Sequence, residues 1–101
     1  MTELPPSLPD RATFRVTDRQ VSSDLGGEAV ILDLEGSKYY GLMGVGARLW
    51  ELLGEARTVG ELQRVLLAEY DVDADRLRAD LETLLAELAS RDLVVREEDA
   101  S

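Results

Sequence analysis

The chain contains no cysteine, which excludes disulfides, thiolate nucleophiles and sulfur-ligated metals. It contains no histidine, the commonest general base and the commonest metal ligand. Asparagine is also missing, and Lys38 is the sole lysine. With Ser, Thr, Lys38 and carboxylates as the remaining repertoire, few enzyme mechanisms stay open. A protein without catalytic residues is expected. No apolar run approaches the ~18 residues needed to cross a bilayer. The opening MTELPPSLPD has neither the basic region nor the apolar core of a signal peptide, so the expected location is cytoplasmic. Positive charge is scarce, with 11 Lys and Arg against 21 Asp and Glu, a net charge of −10. That sign opposes nucleic acid, whose affinity comes largely from cations neutralising phosphates. It disfavours an anionic membrane surface as well, and its plain effect is to keep a small protein soluble.

What is present fits one domain. A chain of 101 residues, 45% hydrophobic and 32% charged, can bury one modest core. Pro5, Pro6 and Pro9 without periodicity mark residues 1–12 as a disordered arm. "TFRVTD" and "QVS" alternate apolar and polar residues around Val16 and Val21, one or two short strands. Asp24 to Gly27 form a turn. "EAVILDLEGSKYYGL" has the pattern of a β-hairpin turning at Glu35-Gly36. This register sets Asp33 opposite Lys38 and Leu32 opposite Tyr39. Val30, Leu32 and Leu34 are expected as its buried face, with Ile31 and Asp33 on the other.

Three helices follow. Val45, Leu49, Leu52 and Leu53 make the stripe of the first, which stops at Gly54. Thr58 and Glu61 form a capping box before Leu62, Val65, Leu66 and Tyr70. Asp73 caps the third, Asp75 suits its positive end, and Leu77, Leu81, Leu84, Leu85 and Leu88 run down to Ser90. "LVVRE" is a final strand or a strap across the core. The fold class is α+β, a three-stranded antiparallel sheet followed by three helices in a winged helix-turn-helix-like arrangement. The packed domain spans 13–96, and 97–101 form a disordered acidic tail.

Several motifs have plain structural readings. Gly41, Gly44 and Gly46 match neither a phosphate loop nor a dinucleotide fingerprint, and no βαβ unit follows them. A tight strand-to-helix junction explains them. Asp71, Asp73, Asp75 and Asp80 fail as a calcium loop: counted from Asp71 the twelfth position does hold Glu82, but the sixth, which needs glycine, holds Arg76. Helix capping accounts for Asp73 and Asp75, and no metal site is expected. Trp50 lies beside the first helix's stripe, as core or core edge. Tyr39 and Tyr40 differ, because alternation sends one inward and one outward on a strand that ends the sheet. An open edge with a tyrosine beside it suits a peptide added as a further strand. From the residues alone, a winged-helix DNA-binding regulator and a structural subunit of a protein complex stay open. The first would need a basic recognition helix, and helix 73–90 carries five acids against Arg76 and Arg78.

The ordered pieces "ILD…G…YY.L", "GA..W.LL", "RTV.EL...L...Y.V" and "D.......L..L" running into "LV" resemble the PqqD-like family. Its members are precursor-peptide recognition elements of ribosomally synthesised, modified peptides, and the likeness is greatest to the stand-alone type of lasso peptide biosynthesis. It covers about residues 14–96. Two positions depart from the family pattern: Met43 stands where Asn is usual, and Asp92 stands where Gly ends the third helix. The resemblance implies that a leader peptide adds antiparallel to the third strand, 37–42, with side chains in the groove before the third helix. The implied partners are the precursor leader, a leader-cleaving cysteine protease and an ATP-dependent cyclase. The implied peptide-binding residues are Lys38, Tyr39, Tyr40, Gly41 and Leu42 from the strand. From the helix they are Arg76, Asp80 and Leu84, preferred over the flank of Arg78, Glu82 and Ala89. Tyr40 is the tyrosine expected to be exposed.

Overall fold

Alternating apolar residues bounded by glycines make the hairpin around which the domain is built. The computed structural model describes residues 8–18, 20–24, 27–34 and 38–97. Strands β1 (Thr13–Val16), β2 (Gln20–Asp24), β3 (Glu28–Asp33) and β4 (Lys38–Met43) precede helix α1 (Val45–Leu52). Then come β5 (Arg57–Thr58), α2 (Val59–Glu69), α3 (Ala74–Ser90) and β6 (Val94–Glu97). Two three-stranded antiparallel sheets result, ordered β2-β3-β4 and β5-β1-β6. "LVVRE" is therefore a strand, pairing Val16 with Val94 and Thr13 with Glu97. Glu97, expected in the tail, sits in this ladder, and the Arg15 guanidinium donates to its carboxylate.

The hairpin register is the expected one, with Asp33 opposite Lys38 and Leu32 opposite Tyr39. Its faces are not. Ala29 and Ile31 are the buried pair, while Val30 and Leu32 are half-buried and Leu34 is 53% exposed. Both alternating sets are apolar, so period alone could not choose between them; the helices cover the Ile31 side. The Glu35-Gly36 turn lies outside the described residues, as do residues 1–7, Leu25-Gly26 and 98–101.

The helices start and stop where local chemistry dictates. Thr58 Oγ1 accepts from the Glu61 N–H at 3.0 Å, and Glu61 Oε1 accepts from the Thr58 N–H at 3.0 Å, completing the capping box. Asp73 Oδ2 accepts from the Arg76 N–H at 2.9 Å and caps α3. At the other end Asp92 adopts φ 60°. Its N–H donates to Ala89 O and the Leu93 N–H donates to Leu88 O, both at 3.0 Å. This is a Schellman close with aspartate at the position glycine prefers. Helix α1 has no side-chain cap; Gly44 takes that place at φ 58°. Its N–H donates to Gly27 O at 3.1 Å.

The core lies between the sheets and the helices. Ile31, Leu49, Leu53, Leu62, Leu66, Leu85 and Leu93 are fully buried, and Trp50 is buried beside them. Residues 8–12, placed in the arm by their prolines, pack onto the domain. Ala12 is buried, the Val59 N–H donates to Ala12 O at 2.9 Å, and the Gly60 N–H donates to Asp10 O at 2.9 Å. Arg78 holds the same segment from α3, donating to Leu8 O at 2.6 Å and pairing with Asp10 at 2.7 Å.

Candidate peptide-binding edge and groove

Strand β4 has β3 on one side and, among the described residues, no strand on the other. The direction of its main-chain groups follows from one bond. Gly44 N donates to Gly27 O in continuation of the register Glu28↔Met43. Hydrogen-bonded and non-bonded pairs alternate along an antiparallel ladder. Ala29–Leu42, Ile31–Tyr40 and Asp33–Lys38 are therefore the bonded pairs. Tyr39, Gly41 and Met43 turn their N–H and C=O groups off the free edge.

Side chains follow the complementary rule. Tyr40 and Leu42 lie on the Ile31 side, half-buried against the core. Lys38 shares their face by alternation and is exposed at its end. Tyr39 and Met43 stand on the opposite face, 72% and 71% exposed. The expectation for the tyrosines is thus reversed. Tyr39 is the exposed one, and Tyr40 turns toward α3.

Just past the Met43 end of β4, a cavity of about 280 Å³ opens between α1 and α3. Val45, Gly46 and Leu49 line one wall, and Leu77, Leu81 and Leu84 the other. Arg76 and Asp80 stand at its rim as an exposed ion pair, 3.5 Å apart. The point where a Cβ on Gly46 would stand is 3.6 Å from Leu84 Cδ2 and 3.7 Å from Leu42. Gly46 of α1 thus lies close to both Leu42 of β4 and Leu84 of α3, with no side chain of its own between them. The space is at the small end for ligand pockets, and its apolar lining suits side chains from a chain lying along the edge.

Of the residues singled out in the sequence, Arg76, Asp80 and Leu84 line the cavity, Lys38, Tyr40 and Leu42 share the Ile31-side face of β4, and Leu42 and Leu84 come together at Gly46. Tyr39 and Gly41 contribute to the edge through their backbones, and the Tyr39 ring is not in the groove. The other flank of α3 has a different occupation. Arg78 bonds Gln63, Leu8 O, Asp10 and Glu82. Burial disfavours its charge, yet the hydrogen bonds to Asp10 and Glu82 hold its pKa above the ordinary arginine value.

One residue beside the groove has no mark in the sequence. Arg91, just past the end of α3, donates from Nη1 to Tyr40 Oη at 2.9 Å, and its guanidinium carbon lies 4.8 Å from the Tyr40 ring centre. Only its place after a helix C-terminus, where cations are favoured, could have drawn attention to it. Among the described residues no group of three or more acidic side chains is arranged to hold a metal. No helix among them is long and apolar enough to cross a membrane.

Comparison with known proteins bears on this edge. The family described as coenzyme PQQ synthesis protein D (PqqD) matches residues 28–94, from β3 through the start of β6. A solved structure described as TbiB1 in complex with the TbiA(beta) leader peptide is similar at 35% identity and a TM-score of 0.76. It covers 84% of this chain and 99% of that one. No curated protein matches the chain.

Proposed function

The chain belongs to the PqqD family, and from that premise we propose that it recognises the leader segment of a ribosomally made precursor peptide, of lasso type. The leader adds to β4 as an antiparallel strand and drops alternate side chains into the groove before α3. The observation that carries this reading is the β4 edge, unpaired among the described residues, beside an apolar cavity between α1 and α3, in a chain 35% identical to TbiB1, whose structure holds a leader peptide. Tyr39, Gly41 and Met43 supply the main-chain bonds. Tyr40, Leu42, Arg76, Asp80 and Leu84 form the walls that select side chains. Lys38 stands at the end of the strand, exposed on a long stem.

The protein acts by binding. Its repertoire lacks His and Cys, so peptide cleavage and ring closure fall to others: a leader-cleaving cysteine protease and an ATP-dependent cyclase, working in the cytoplasm. Its contribution is to hold the leader in one extended conformation, which raises the effective concentration of the attached core peptide at those enzymes. Hydrogen exchange with the precursor's leader peptide tests the mode. Protection should rise at the amides of Tyr39, Gly41 and Met43, while Lys38, Tyr40 and Leu42, already bonded to β3, change little. Uniform protection, or protection only in the helices, would rule out strand addition.

A further inference from the structure

The groove changes character along its length. Beyond its Leu42 end, past Gly46, it gives onto the apolar cavity of Leu77, Leu81 and Leu84. At the Tyr40 end it is cationic. Arg91 lies over the Tyr40 ring, and Lys38 shares the face of Tyr40 one step further along the strand. Two of the chain's 11 basic residues thus stand toward one end of the strand, Arg91 on Tyr40 and Lys38 on the same face of β4.

Arg91 is held in place without being used up. Its Nη1 donates to Tyr40 Oη, and Nη2 is 4.0 Å from Glu87, beyond hydrogen-bond reach. A guanidinium carries five N–H donors, so a fork of donors stays free beside a tyrosine that fixes its position. Glu87 is itself 60% exposed, and Asp33 faces Lys38 across the strands. A planar guanidinium pinned on a ring matches a carboxylate better than a mobile ammonium does.

Resting on the leader-binding reading above, we infer that Arg91 selects an acidic side chain in the bound peptide, C-terminal to the residue seated in the apolar cavity. The direction follows from the antiparallel mode, which runs the peptide from the Met43 end toward the Lys38 end. The spacing follows from lengths. From Asp80, at the cavity rim, to Arg91 the helix rises roughly 16 Å at ~1.5 Å per residue. An extended peptide covers that in about five residues at ~3.3 Å each. Only every second side chain enters the groove, so the separation is even, four or six.

The test is selection of a random dodecapeptide display library on the immobilised full chain, with wild type, Arg91→Gln, Arg91→Glu and Gly41→Pro compared after each is shown to fold by circular dichroism. A chain of net charge −10 favours basic peptides in general, so acidic enrichment at one position cannot come from the overall field. The expected outcome is an apolar residue followed at even spacing by Asp or Glu. Resynthesised with Asn or Gln at that position, such peptides should bind about tenfold more weakly to wild type, as for a lost charge-assisted bond. With Arg91→Gln the difference should shrink to within about twofold, and Arg91→Glu should select Lys or Arg there. Binders lost on Gly41→Pro but showing no acidic position, or an acidic position indifferent to Arg91, overturn the inference and leave strand addition standing. A library that yields no binders on wild type overturns both.

Discussion

A proline at Gly41 separates the edge from the ladder. Gly41 points its N–H away from β3, so losing that donor leaves the hairpin bonds of Tyr40 and Leu42 in place. Proline is tolerated on edge strands for this reason. A bound peptide, by contrast, loses one main-chain bond and keeps an unpaired carbonyl against the strand. A net bond is worth about 0.5–1.5 kcal/mol, and leaving its partner unsatisfied adds to that. Together they give a loss of about 1–2 kcal/mol, or roughly five- to thirtyfold in affinity. Gly41→Ala is the control, because nothing lies within 4 Å of the point its Cβ would occupy. Leu42→Pro is the opposite case, since it removes a donor to Ala29 and should lower the unfolding midpoint. Calorimetry with a peptide selected on the wild-type chain, alongside urea unfolding of each variant, measures both effects. The reasoning is refuted if Gly41→Pro keeps its unfolding midpoint and binds like wild type, or if Gly41→Ala loses as much as Gly41→Pro.

Asp92→Gly should stabilise the fold by about 0.5–1 kcal/mol, because glycine relieves the left-handed strain at φ 60° but loses more chain entropy on folding. Urea midpoints will show it, and a lower midpoint would mean the aspartate carboxylate has a role at the Schellman close. The Glu61 carboxylate is held below its ordinary value of 4.5, chiefly by the Thr58 N–H, and Glu69 is held below 4.5 chiefly by its bond to Arg48. A depressed folded-state pKa contributes stability above the unfolded value that is lost as pH falls through the folded one. The double variant Glu61→Gln, Glu69→Gln should therefore lose stability less steeply than wild type below about pH 4.5; equal slopes would refute this. Arg78→Ala should free residues 8–12, read as faster proteolysis at Arg11, with little change in peptide affinity, whereas Asp80→Ala should weaken binding by about tenfold, roughly 1.4 kcal/mol, and leave proteolysis unchanged.

What the sequence made legible was local. The Thr58–Glu61 box, the Asp73 cap and the leucine stripe of α3 each depend on residues within a turn or two, and all three are present. Hairpin register followed from the same short-range logic. The face of β3 did not, since Ala29 and Ile31 compete with Val30 and Leu32 on equal terms until something covers one side. The same ambiguity carried over to Tyr39 and Tyr40. Contacts between distant parts were illegible. Arg78 reaches back 70 residues to Leu8, and Arg91 reaches 51 to Tyr40. The two-residue strand β5 left no periodic trace because it has no room for one. At the candidate site, residue types on β4 and α3 were readable, and which side chain turned toward which was not.

A sheet edge with no partner strand among the described residues, as β4 has, invites any extended chain, a second copy of this protein included. The ordinary defences, a bulge, a proline or a covering loop on the edge, would block the peptide as well. Long-range repulsion at net charge −10 discourages approach of a second copy without occupying the edge. Such a defence weakens with salt, because it acts over a Debye length, and it weakens again as the carboxylates take up protons. Colloidal behaviour and ligand access are then coupled in this chain: conditions that silence its charge expose the same backbone row to self-pairing, and a bound peptide, by filling the row, removes the hazard.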